Sequence, residues 1–133
     1  MAAYLEGSEV RPSLVLCSSA LRARQTLGIV LPGLGTELTV AIEPDLYTFG
    51  SGAVIERLRM VPDDVDSVLL VGHNPASQEV ATTLARTGGP LASLQAKYPT
   101  GALAGLELEI EGWSGVAPDC GVLRTFVTPA SLV

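Results

Sequence analysis

The chain has one histidine, His73, at the end of Val68-Leu69-Leu70-Val71-Gly72-His73, and Asn74-Pro75 follows at once. An imidazole can donate a hydrogen bond to an oxyanion and, when protonated, add positive charge beside it. Upstream, Cys17-Ser18-Ser19-Ala20-Leu21-Arg22-Ala23-Arg24-Gln25-Thr26 carries two guanidiniums within three residues. A guanidinium is a planar fork of donors that matches phosphate oxygens. An arginine and an imidazole, each just past an apolar run, are the ingredients of an anion site, and phosphate is the anion that fits. Ser18 and Asn74 are further polar groups within reach of such an anion. An arginine pair or a lone histidine usually does no more than meet solvent. Here Gly72 before His73 and Asn74-Pro75 after it shape the backbone around the imidazole.

The elements needed to present these groups can be read around them. Ser13–Cys17 and Ser67–Val71 are short, nearly continuous apolar runs, the pattern of strands buried on both faces of a parallel sheet. Open α/β sheets bind ligands at the carboxyl ends of such strands. Ser18 or Ser19 can cap a helix running to about Leu31, closed by Pro32-Gly33. Arg22 then falls in the first turn, where unpaired N–H groups and the helix dipole favour an anion. Gln25 and Thr26 share its face and are placed to back it. Asn74 is suited to cap a second helix, with Pro75 in its first turn.

The remaining pattern gives the fold class. Met1 to Gly7 reads as the end of a helix stopped by Gly7. Leu38–Ile42 is a strand closed by Glu43-Pro44-Asp45. Ser51 to about Val61 is helical, with Val54, Leu58 and Val61 on one face. Ala76 to Arg86 is the helix after His73, broken by Gly88-Gly89-Pro90. Leu106, Leu108 and Ile110 alternate with Glu107, Glu109 and Glu111, the period of a strand with one wet face. Trp113 to Gly121 is rich in turns, and Val122–Thr128 is a last strand. Strand–helix units followed by successive strands describe a layered α/β domain with a mixed sheet.

Composition narrows the function. At 133 residues, 47% hydrophobic and 17% charged, the chain is one globular domain rather than a disordered segment. No stretch nears the ~20 apolar residues that cross a bilayer. Met1–Glu6 lacks the basic and apolar regions of a signal peptide, so the chain reads as cytoplasmic. Cys17 and Cys120 make no disulfide framework, and Cys17 reads as a buried apolar residue. A net charge of −6 argues against nucleic acid or an anionic membrane as partner. One histidine and two distant cysteines fall short of a zinc site, and no carboxylate pair suggests magnesium. Gly33-Leu34-Gly35 follows a helix rather than a strand, so it is no nucleotide loop.

Four stretches in order resemble the histidine phosphatase (phosphoglycerate mutase-like) superfamily, and within it the SixA-type phosphohistidine phosphatases. They are Arg11-Pro12-Ser13-Leu14-Val15-Leu16-Cys17-Ser18-Ser19, Arg22-Ala23-Arg24-Gln25-Thr26, Leu70-Val71-Gly72-His73-Asn74-Pro75, and Lys97-Tyr98-Pro99-Thr100-Gly101-Ala102-Leu103-Ala104. The resemblance implies a three-layer α/β/α domain over residues 1–133 with a mostly parallel sheet. It also implies a phosphatase that uses neither metal nor organic cofactor. Members attack phosphate with a histidine from an Arg-His-Gly motif ending their first strand. A second histidine and two arginines complete their pocket. By motif His73 matches the second histidine and Arg22 one of the arginines, both catalytic and phosphate-binding.

No Arg-His-Gly occurs in this chain. Set beside the family, it is therefore expected to lack the first strand and its nucleophile, as an N-terminally truncated domain. Met1–Gly7 would then finish the long helix that follows that strand. A missing central strand would leave open sheet edges that invite self-association. The family's ester-cleaving members place an acid after the second strand. Thr48 stands in about that place here, with Glu43 and Asp45 nearby and off position. A protonated imidazole leaves as a neutral group, so weak provision for an acid fits phosphohistidine better than a sugar phosphate. The implied substrate is phosphohistidine on a protein such as a phosphotransfer domain, cleaved through a phosphohistidine intermediate. The alternatives are a broad phosphomonoesterase or mutase-like enzyme for small phosphorylated metabolites, and a noncatalytic phosphate-binding module. Arg24 and Glu43 read as surface groups.

Overall fold

A computed structural model of the chain describes residues 2–7, 11–35, 37–47 and 50–132. Its centre is β1 (Leu14–Ser18), buried at every position. Parallel partners flank it on both sides, β2 (Thr39–Glu43) and β3 (Val68–Val71), with Cys17 in register with Ile42 and Val71. Both connections are helical crossovers, α2 (Leu21–Val30) between β1 and β2 and α3 (Gly52–Arg59) between β2 and β3.

Alternation along β1 divides its side chains between two layers. Val15 and Cys17 meet Ala23, Leu27 and Val30 of α2 and Leu5 of α1 (Ala2–Gly7). Leu14 and Leu16 meet Val54 and Leu58 of α3 and Val80 and Leu84 of α4 (Ala76–Leu84). The spacing of Ala23, Leu27 and Val30 keeps the three on one helical face. Each such buried Leu or Val contributes roughly 1.5–3 kcal/mol, more than any cap or surface pair in the chain. Both faces of β1 are thus held by packing, and the strand ends that carry the site inherit that rigidity.

A second sheet has the order β4 (Ala85–Thr87), β6 (Gly121–Val127), β5 (Leu103–Leu108), with β4 parallel and β5 antiparallel to β6. The expected helix to Arg86 stops at Leu84. Ala85 turns extended there and pairs with Gly121, so tertiary pairing overrides the helical pattern. Gly88 follows at φ +150, where an added Cβ would lie 2.3 Å from the Leu123 carbonyl oxygen. α5 (Leu91–Ala96), unanticipated, anchors the fully buried Leu94. The strand expected through Ile110 starts earlier and stops at Leu108, while Ile110 packs on the first core.

The fold is α/β with a mostly parallel sheet, yet among the described residues the two three-stranded sheets do not join. β3 and β5 border a cleft of about 760 Å³, and among the described residues neither has a strand partner on that side. No helix of the described residues is long and apolar enough to cross a membrane.

Candidate phosphate site

β1 and β3 are parallel neighbours, so their carboxyl ends lie side by side and the turns leaving them share one end of the sheet. From β1 the chain turns through Ser18-Ser19-Ala20 into α2. Ser18 is fully buried, and its hydroxyl oxygen accepts the Ala20 N–H at 3.2 Å. It therefore shapes the turn instead of facing an anion, and the cap position falls to Ala20, not to Ser18 or Ser19. Arg22 is exposed in the first turn of α2, where the leading amides have no intrahelical acceptor. Gln25 is exposed. Thr26 donates its hydroxyl to the Arg22 carbonyl at 3.0 Å, so it holds the helix backbone rather than the guanidinium.

From β3 the chain turns at Gly72 and presents His73. The His73 carbonyl oxygen accepts from both the amide and the hydroxyl of Ser77, at 3.1 and 3.2 Å. A Cβ on Gly72 would come within 3.2 Å of that same hydroxyl, so glycine lets the turn close against α4. His73 is half-buried, and its Nδ1 lies 3.4 Å from the Asn74 carbonyl oxygen. Asn74 does not cap the helix. Its side-chain amide donates to the Tyr98 carbonyl at 2.6 Å, and Pro75 takes the cap position instead.

Tyr47 was missed by sequence reasoning. It follows the short turn Pro44–Leu46 beyond β2, and its ring meets that of His73 edge to face, centroids 5.3 Å apart. On the same side, Glu79 of α4 accepts from the amide and hydroxyl of Ser51, at 3.4 and 3.0 Å, and so clasps the start of α3. The one available signal was position. β2 is parallel to β1, so the turn after β2 emerges at the site's end of the sheet.

Glu43 is not a loose loop carboxylate. It pairs with Arg57 Nε at 2.5 Å, both side chains about three-quarters buried. Asp45 is exposed, and Thr48 lies outside the described residues. Arg24 is exposed, and its charge offsets only part of the burial that pushes the Cys17 thiol up. Among the described residues no three His, Cys, Asp or Glu side chains come together as a metal would require. The large cleft is not at Arg22 and His73. It runs between β3 and β5 and is lined by Ser77 and Tyr98, the residues that hold His73 and Asn74.

No family model matches the sequence. An uncharacterized protein of Mycobacterium tuberculosis is 36% identical over 137 residues, covering 96% of this chain and 83% of that protein. One of Mycobacterium leprae is 34% identical over 122 residues, covering 86% and 70%. Among solved structures, the SixA protein of Nakamurella multipartitia superposes with a TM-score of 0.79 at 25% identity, covering 96% of this chain and 77% of that one. The protein histidine phosphatase SixA complexed with tungstate superposes at 0.76 and 28% identity, covering 99% and 78%. The chain belongs to the SixA-type histidine phosphatases. The SixA likeness spans nearly the whole chain, so it embraces both sheets and the turns that carry Arg22 and His73.

Proposed function

We propose that this chain carries the phosphate-binding part of a phosphohistidine phosphatase. The observation that carries the proposal is that Arg22, on the first turn of α2, and the Gly72-His73 turn both follow the carboxyl ends of adjacent parallel strands. The tungstate in a related SixA supports it, because tungstate is a tetrahedral oxyanion like phosphate. In this reading the leading amides of α2 and the Arg22 fork hold the phosphoryl oxygens. Protonated His73 donates to one of those oxygens, where negative charge spreads in the transition state.

The substrate is phosphohistidine on a protein, such as a phosphotransfer domain. Glu43, held by Arg57, is not placed to protonate an ester oxygen, whereas a protonated imidazole leaves as a neutral group. The family's Arg-His-Gly does not occur in these 133 residues, so in this reading they bind the phosphoryl group and do not attack it. The reading needs no metal and no organic cofactor, and it places the protein in the cytoplasm. An enzyme acting on small phosphorylated metabolites and a noncatalytic phosphate-binding module are the rivals.

His73 is the only histidine, so its imidazole gives one unambiguous NMR signal. Titration with inorganic phosphate or tungstate is expected to shift it saturably. Arg22→Ala weakens binding roughly ten- to a hundredfold, the worth of a charge-assisted fork, and leaves the melting temperature unchanged because Arg22 is exposed. No response to either anion overturns the site. The chain alone is expected to bind a histidine-phosphorylated phosphotransfer domain without releasing phosphate. Release of phosphate would overturn the reading that these residues bind the phosphoryl group without attacking it. Tighter competition by small phosphate esters than by the phosphoprotein would favour the metabolite enzyme.

A further inference from the structure

We propose that the outer face of α2, with the exposed part of β2 in the same layer, docks an acidic helix of the protein that carries the substrate phosphohistidine. The proposal rests on the functional reading above for the identity of that protein, and on α2 and β2 alone for the chemistry of the surface.

Charge sets this surface apart. The chain has 14 acidic residues and a net charge of −6, yet residues 11–35 contain three arginines and no Asp or Glu. Arg57, Arg59, Arg86 and Arg124 each pair with a glutamate. Arg22 and Arg24 of α2 have no carboxylate partner among the described residues. The phosphoryl group takes up Arg22 and leaves the Arg24 charge unmet. An unmet guanidinium on an otherwise acidic protein selects a partner that brings carboxylates.

The surface between the charges is apolar and flat. At about 3.6 residues per turn, Leu21, Gln25 and Gly28 fall opposite the buried Ala23, Leu27 and Val30, with Arg24 to one side and Ile29 to the other. Leu21 and Ile29 are 62% and 68% exposed, one stripe about 12 Å long that starts at the phosphate site. Gly28 lies within α2, where alanine would be more favourable, and a Cβ there would meet nothing within 4 Å. Packing within this chain thus does not require that glycine, whereas a second helix could approach closely over it. Val40 and Ile42 of β2 are in register with Val15 and Cys17, so they face the layer of α2, and both are exposed. Six large apolar side chains are exposed among the described residues, and these four share that layer. It is a layer of helices, so a helix about 8–10 Å from α2 is the element that would cover them.

A second copy of this chain is a poor occupant, because α2 against α2 sets Arg22 and Arg24 against the same two charges. An anionic membrane is no better, since α2 offers two cations on a chain of net charge −6 and stable membrane docking takes a larger basic cluster. A small phosphorylated metabolite would fill the phosphate site and leave the stripe bare. A protein bearing its phosphohistidine at the start of α2 uses both at once.

The test follows backbone amide signals of the full chain by NMR during titration with a blocked helical peptide, Ala-Glu-Leu-Ala-Ala-Glu-Leu-Ala-Ala-Leu-Glu-Ala-Glu-Leu-Ala. Its leucines form one stripe flanked by carboxylates, and the control carries Lys in place of every Glu. The acidic peptide is expected to shift the signals of α2 and β2 saturably, the Lys peptide not. Arg24→Glu should weaken peptide binding roughly tenfold at low salt and less at high salt. Gly28→Ala should weaken it while raising the melting temperature. Neither variant should alter the phosphate titration of His73. Unchanged α2 and β2 signals at millimolar acidic peptide overturn the docking face, and an equal response to the Lys peptide overturns its chemistry. The same shifts without peptide, rising with protein concentration together with a dimer mass in light scattering, overturn the occupant in favour of a second copy. Binding to phosphatidylglycerol vesicles that Arg24→Glu abolishes overturns it in favour of a membrane. Failure with the peptide and an intact phosphate response at His73 removes the docking face and leaves the phosphate site. Peptide binding with no phosphate response overturns the functional reading, and with it the phosphohistidine, and leaves an acidic helix as the occupant.

Discussion

The side-chain amide of Asn74 donates to the carbonyl oxygen of Tyr98 at 2.6 Å, across 24 residues of sequence. That one bond ties the turn presenting His73, on the first sheet, to the segment leading into β5, on the second. Among the described residues the sheets share no ladder, so this bond adds to the packing of α4 in relating the His73 turn to the second sheet. Asn74→Ala is expected to cost about 1 kcal/mol of stability, the net worth of a partly exposed hydrogen bond. It should also weaken phosphate binding at His73. Urea unfolding and the imidazole titration measure the two effects separately. Full phosphate affinity in the variant would show that the turn holds its shape without Tyr98.

Glu43 separates an acid role from a structural one. Its carboxylate lies 2.5 Å from Arg57 Nε, and the pair bridges the end of β2 to α3. Glu43→Gln is expected to lower stability by no more than about 1 kcal/mol and to leave phosphate affinity at His73 unchanged. Arg57→Ala should cost at least as much, because it leaves a partly buried carboxylate without its counter-ion. Thermal melts of both variants, with a phosphate titration of each, decide the matter. A large loss of phosphate response in Glu43→Gln would put the carboxylate in the site after all.

The strand–turn–helix units at Cys17 to Arg22 and at Val71 to Ala76 were legible because short apolar runs ending in turn residues carry their own signal. Arg22 and His73 stood out as candidates in the sequence for the same reason. What could not be read was decided by tertiary contact. Ala85-Arg86 continues a helical pattern and becomes part of a strand because Ala85 pairs with Gly121. Ser18 reads as a cap and is instead buried beneath its own turn. Asn74 reads as a cap and reaches Tyr98. Tyr47 carries no motif at all, and its place beside His73 follows only once β2 is known to run parallel to β1.

Tyr47 and His73 meet edge to face with ring planes 64° apart. Aromatic pairs are worth ~0.5–1.5 kcal/mol beyond burial, and the exposure of Tyr47 puts this one at the low end. Tyr47→Ala is expected to reduce phosphate affinity two- to threefold, a factor of about 0.5 kcal/mol, by loosening the imidazole. Tyr47→Phe should restore it, since the contact is made by the ring and not by the hydroxyl. The check is the His73 ring signal, which loses a ring-current shift in Tyr47→Ala and keeps it in Tyr47→Phe. Equal loss in both variants would move the effect from the ring to the phenol oxygen.

Alkaline stability follows from two buried acids. Burial pushes the Cys17 thiol above its ordinary 9.0, with the Arg24 charge pulling part of the way back. Burial also pushes the Tyr98 phenol above its ordinary 10.0. In each case the native state keeps a proton that the unfolded chain releases. The stabilisation is therefore complete below the unfolded value and is lost as pH climbs toward the folded one. Urea midpoints are expected to hold steady to about pH 8.5 and then fall, the thiol acting first and the phenol above it. Cys17→Ala removes the first part of that decline relative to its own midpoint at neutral pH, though it is less stable throughout because Cys17 is fully buried. An undiminished fall in Cys17→Ala would assign the alkaline loss to other groups.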